Sequence, residues 1–84
     1  RDRAFVALLT KYDGEKKTFS AIINECVWGH DFLLADLSRI LETHAATISR
    51  WAGGAAPIEF ARVRIVDRIR EELEERLKRL IIKG

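Results

Sequence analysis

The sequence predicts an all-α domain of five helices, the last of them long. Apolar residues return every three or four positions through most of the chain, strand-like alternation of useful length is missing, and turn or capping residues bound each helical stretch. At 84 residues the chain holds one modest core, so a single domain over residues 1–84 is expected. Apolar residues make up 48% and charged residues 33%, the balance of a folded globular domain.

Residues 4–12 put Phe5, Leu8 and Leu9 at helical spacing and stop at Asp13-Gly14, a turn pair. Residues 15–17 read as a polar connector, and Thr18 as the N-cap of a second helix. Its Phe19, Ile22, Ile23, Cys26 and Val27 share a face, with Gly29 just past its end. Asp31 is expected to cap a third helix over 32–41 that carries Leu33, Leu34, Leu37, Ile40 and Leu41. After a break at Glu42-Thr43-His44, a short fourth helix covers 45–52 and stops at Gly53-Gly54. Pro57, whose fixed φ suits a first helical turn, introduces a fifth helix over 58–83. The apolar stripe of that helix runs through Ile58, Ala61, Ile65, Val66, Ile69, Leu73, Leu77, Leu80 and Ile81. Its other face places an acid four residues before a base at Glu72/Arg76, Glu74/Lys78 and Glu75/Arg79, the favourable order.

Composition narrows the function classes. No apolar run approaches the roughly 18 residues of a membrane span, and the first residues lack the basic, apolar and small-residue order of a secretory leader. The expectation is a cytoplasmic protein without membrane contact. Cys26 is the single cysteine, so no internal disulfide forms, and neither it nor His30 or His44 has partners at metal-ligand spacing. No nucleophile, base and orienting group occur together, and no phosphate-cradling glycine loop is present. No enzyme activity, cofactor, metal or small-molecule substrate is therefore expected.

A net charge of +2 alone names no partner, but from Arg39 to Arg70 every Lys/Arg position is Arg: 39, 50, 62, 64, 68 and 70. The planar guanidinium fork suits phosphates and guanine edges, which an ammonium does not match; the alternative is an ordinary solvated surface.

Residues 34–54 can form two short helices crossing through a tight turn. Leu37 and Leu41 face inward from the first and Ile48 and Trp51 from the second, while Ser38 is small where the backbones approach. Ala45, Ala46 and Thr47 open the second helix with short side chains, and Ser49 and Arg50 follow one turn later. Such a helix fits a major groove. Arg50 can donate two hydrogen bonds to guanine, alanine methyls can touch thymine methyls, and the hydroxyls can reach bases or phosphates.

Leu37-Ser38 followed by Leu41, then Thr47-Ile48-Ser49-Arg50-Trp51, Gly54 and Pro57, resembles the helix-turn-helix of the lambda repressor and Cro-like (XRE-type) family. The resemblance places a motif at about residues 32–54 and implies a five-helix repressor-like domain that binds double-stranded operator DNA, commonly as a dimer, in phage or bacterial transcription regulation. It puts Ala45, Ala46 and Arg50 at positions that usually face bases and His44, Thr47 and Ser49 where base or phosphate contacts are common; of these, Thr47 is expected to read bases, and His44 and Ser49 to bind phosphates. Three residues depart from the family pattern: Glu42 stands where a left-handed turn usually has Gly, Leu34 replaces a Gln, and Thr43 replaces an apolar turn residue.

Arg62 and Arg64 are expected to grip phosphates from the start of the fifth helix, with the acidic run 71–75 pointing away. Trp28 and Trp51 read as core residues rather than base-stacking ones, Cys26 as a small buried residue, and His30 as surface or capping. A final helix of about 39 Å outruns four short helices. The stripe Leu73, Leu77, Leu80 and Ile81 is therefore expected to be exposed and to form a homodimer interface. The competing reading is a helical protein-interaction or dimerisation module of a larger regulator, without direct DNA readout.

Overall fold

The computed structural model describes residues 2–29 and 34–83, with side chains at 3–29 and 34–79. Among them lie five α-helices: α1 (Asp2–Thr10), α2 (Lys16–Gly29), α3 (Leu34–Leu41), α4 (Ala45–Ala52) and α5 (Glu59–Lys83). The expected start of the third helix at Asp31-Phe32, and the positions His30 and Leu33, lie outside the described residues.

Helix α5 is the spine. At about 1.5 Å per residue its 25 residues reach about 37 Å, close to the 39 Å long axis of the molecule. Arg62, Val66, Ile69 and Leu73 are buried along it at steps of four, three and four, the period of one helical face. Helices α1, α2 and α3 pack on that spine, and α4 packs on α2 and α3 without resting on α5 to the same degree. Phe5, Leu9, Phe19, Ile22, Ile23, Cys26, Leu37, Ile40, Ile48 and Trp51 complete one continuous core.

Several sequence expectations shift. Helix α2 begins at Lys16, so Thr18 belongs to its first turn; the carboxylate of Asp13 supplies the local bonds, accepting from Glu15 N at 2.9 Å and Thr18 Oγ1 at 3.1 Å. Gly29 is the last residue of α2 rather than its successor. Trp28, expected in the core, is 82% exposed, since Cys26 and Ile23 already carry the inward face of that turn. Trp51 is buried as expected and meets Phe19 edge-on, ring centres 5.5 Å apart. The ion pairs on α5 run in both orders: Arg70–Glu74 at 2.9 Å and Arg68–Glu72 at 3.8 Å put the base first, while Asp67–Arg70 at 3.7 Å and Glu72–Arg79 at 3.8 Å put the acid first.

The proposed dimer seam changes most. Leu73 is fully buried inside the domain and Leu77 is half-buried, so the core runs further along α5 than four short helices suggested. The side chains of Leu80 and Ile81 lie outside the described residues.

Candidate nucleic-acid interface

Two helix-stop motifs set the position of α4. At the first, α3 ends as Glu42 turns left-handed at φ 52°, and the amide of Thr43 donates to the Ser38 carbonyl at 3.0 Å. The hydroxyl of Ser38 reaches forward to the Thr43 carbonyl, and Thr43 Oγ1 donates to the Leu41 carbonyl at 3.0 Å. A hydroxyl thus secures the turn where an apolar residue was the family expectation, and the small Ser38 earns its place by hydrogen bonding as well as by size. At the second stop, Gly54 takes φ 117°, Ala55 N donates to the Arg50 carbonyl at 3.1 Å and Gly54 N to the Trp51 carbonyl at 3.1 Å.

Between these stops α4 runs over Ala45–Ala52, the range the sequence predicts. Ile48 and Trp51 are buried beneath it. Ala46, Ser49 and Arg50 are exposed, at the i, i+3, i+4 spacing of one face, and Gly53 continues that line beyond the helix. Ala45 and Thr47 are half-buried and flank the exposed face rather than centring it. Arg50 projects from the body of the domain, and its Nη2 donates to Thr47 Oγ1 at 3.2 Å, which orients the guanidinium along the helix surface. His44 is exposed at the N-cap with ψ 139°; its carbonyl accepts from Thr47 N at 3.0 Å and Ile48 N at 3.2 Å, and its side chain makes no capping bond.

The two α5 arginines separate. Arg64 is exposed, lies 5.8 Å from the centre of the Phe60 ring, and shares with Ile40, Leu41 and Glu42 a surface groove of about 400 Å³ beside the α3–α4 turn. Arg62, by contrast, is only 8% exposed; its Nε donates to the Gly14 carbonyl at 2.9 Å and its Nη1 to the Pro57 carbonyl at 2.7 Å. Those bonds tie the Asp13-Gly14 turn and the connector before α5 to the spine, so Arg62 is a structural clamp and not a phosphate ligand. Gly14 suits that turn because it holds φ 83°, a backbone conformation that side-chain-bearing residues rarely adopt.

Sequence reasoning missed Ser20 and Asn24. Ser20 Oγ donates to the Trp51 carbonyl at 2.7 Å, and Asn24 Nδ2 to the Ala52 carbonyl at 2.8 Å. The available signal was a pair of small polar residues one turn apart, interleaved with the apolar face of α2.

No family model, curated protein or solved structure matches this chain. The site therefore stands on its own geometry. Among the described residues no helix is long and apolar enough to cross a membrane, and no group of three His, Cys, Asp or Glu side chains could hold a metal ion.

Proposed function

We propose that the chain is a sequence-specific double-stranded DNA-binding domain of the lambda repressor-like helix-turn-helix kind, acting in transcription regulation with α4 in the major groove. The observation that carries this reading is the outward face Ala46, Ser49 and Arg50 on a helix held from below by Ile48 and Trp51. A groove-reading helix needs that division, with a rigid apolar underside and short side chains around one long donor. Arg50 would read a guanine edge, Ala46 and the flanking Ala45 and Thr47 would meet adjacent bases, and His44, Ser49 and Arg64 would contact phosphates. Paired copies would occupy half-sites about 34 Å apart, but Leu73 cannot contribute to that pairing because the core already covers it. Selection of bound duplexes from a randomised pool, followed by gel-shift titration at two salt concentrations, tests the proposal; recovery of no preferred sequence would reject it.

A second reading rests on a different observation. Ile58 and Phe60 are 75% and 70% exposed at the head of α5, and Val63 continues their surface. Such exposed apolar side chains are the mark of a protein-interaction module, and sedimentation analysis with and without duplex DNA separates that use from nucleic-acid binding.

A further inference from the structure

We propose that Asn24 and Ser20, on α2, are positioning residues that set the aim of α4, a proposal that rests on the DNA-binding reading above. Both reach from one turn-spaced edge of α2 to the carbonyl end of α4. Ser20 Oγ donates to the Trp51 carbonyl at 2.7 Å, and Asn24 Nδ2 donates both to the Ala52 carbonyl at 2.8 Å and to the Ser20 carbonyl at 3.0 Å. All three acceptors are carbonyls, so the NH2 of Asn24 must be the group that faces them, and both its protons are engaged. The last carbonyls of a helix have no partner within it. Here α2 supplies a donor to the Ala52 carbonyl and a second donor to the Trp51 carbonyl, which also accepts the Gly54 amide, from residues 28 and 31 positions away in sequence.

These bonds add to what apolar packing does. Ile48 and Trp51 hold α4 against the core, and directed bonds at its carbonyl end further fix its axial position and tilt. Over the roughly 12 Å length of an eight-residue helix, a slip of about 1 Å at one end tilts the axis by about 5°. The displacement of about 1 Å, rather than the tilt, exceeds the tolerance of a preorganised recognition site, roughly 0.5 Å and 10–20°. Arg50 stands two residues before Ala52, at the anchored end where a slip would be largest, and its own carbonyl accepts the Ala55 amide at 3.1 Å in the same helix-stop motif. Anchoring by Asn24 and Ser20 therefore bears on Arg50 directly.

Asn24→Asp is the decisive variant, since it keeps the side-chain shape but turns a donor toward carbonyls into an acceptor. Ser20→Ala is the milder companion and serves where the first variant folds poorly. The full chain is titrated with two probes: the duplex that the wild type recovers from a randomised pool, and a random-sequence duplex of equal length. A variant that merely unfolds some molecules lowers both affinities by one factor, because only the folded fraction binds. Loss of aim lowers the selected-duplex affinity alone. The expected result is a drop of about tenfold on the selected duplex with less than about threefold on the random one. Ile69→Val, a small core change on α5 that touches none of these hydrogen bonds, should leave the ratio of the two affinities unchanged. Equal falls on both duplexes, or no change in either, would overturn the proposal. Failure of the wild type to prefer any duplex overturns the DNA reading instead. Amide exchange then decides the anchoring: faster exchange confined to residues 45–52 in Asn24→Asp supports it, and exchange equal to wild type rejects it.

Discussion

The amide of Thr43 donates to the carbonyl of Ser38 at 3.0 Å, across a left-handed Glu42 at φ 52°. A side chain in that conformation costs roughly 1–2 kcal/mol, part of which glycine would return as extra entropy in the unfolded chain. Glu42→Gly should therefore stabilise the domain by about 0.5–1 kcal/mol, a rise of about 4 °C in melting temperature. Thermal denaturation followed by circular dichroism measures it; a lower melting temperature would show that Glu42 contributes a compensating interaction.

That turn shows what was legible in the sequence and what was not. The bounds of α4 were readable because Gly53-Gly54 and the short residues after His44 are local signals, and the left-handed turn at Glu42 followed from the register of the motif. Burial of Arg62 was not readable: its partner Gly14 lies 48 positions earlier, and no local pattern marks a guanidinium for a distant carbonyl. The buried state of Leu73 depends on how the other helices pack on α5, and helix-to-helix packing has no signature in one helix alone. Trp28 and Trp51 sit alike at helix ends, but only Trp51 has Phe19 to pack against, a contact between α2 and α4 that tertiary structure alone reveals.

Arg50→Ala should leave stability within about 0.5 kcal/mol, because the side chain is exposed and bonds only to Thr47 Oγ1. Binding to the selected duplex should weaken by about 1–3 kcal/mol, with relaxed preference at one base pair. Repeating the site selection with the variant reads this directly; an unchanged consensus at every position would remove Arg50 from base readout.

The two arginines at the start of α5 should behave oppositely. Arg62→Ala leaves the Gly14 and Pro57 carbonyls without their donor, and should cost about 2–4 kcal/mol of stability in urea denaturation. It should leave the salt slope of DNA binding unchanged. Arg64→Ala should barely alter stability, while reducing the steepness of log K against log salt by about 0.9, the loss of one phosphate contact. A salt slope that changes with Arg62 and not with Arg64 would reverse the assignment.

Leu73→Ala discriminates the covered seam from an exposed one. A fully buried leucine in the core should cost about 2–5 kcal/mol on truncation. Any dependence of the denaturation midpoint on protein concentration is expected to be the same for wild type and variant where residue 73 serves the monomer core. A midpoint that falls on dilution in the wild type alone would restore Leu73 to a dimer contact.

Cys26 gives the domain a weakness in alkali. Burial, aided by the nearby charge of Glu25 and opposed by that of Arg76, pushes its thiol from an ordinary value of 9.0 up to about 12. The folded state therefore holds the proton where the unfolded state releases it, so stability is full below about pH 9 and falls as pH rises toward 12. Between pH 8 and pH 10 the loss from this group is on the order of 1 kcal/mol, about one tenfold step of differential proton binding. Tyr12, also raised chiefly by burial, adds loss in the same direction above its ordinary value of 10.0. Replacing Cys26 by Ala removes the thiol's share, so urea titrations at the two pH values should show a smaller pH-dependent loss in the variant than in the wild type, even though the variant starts less stable. Parallel losses would mean that the thiolate is tolerated in the core.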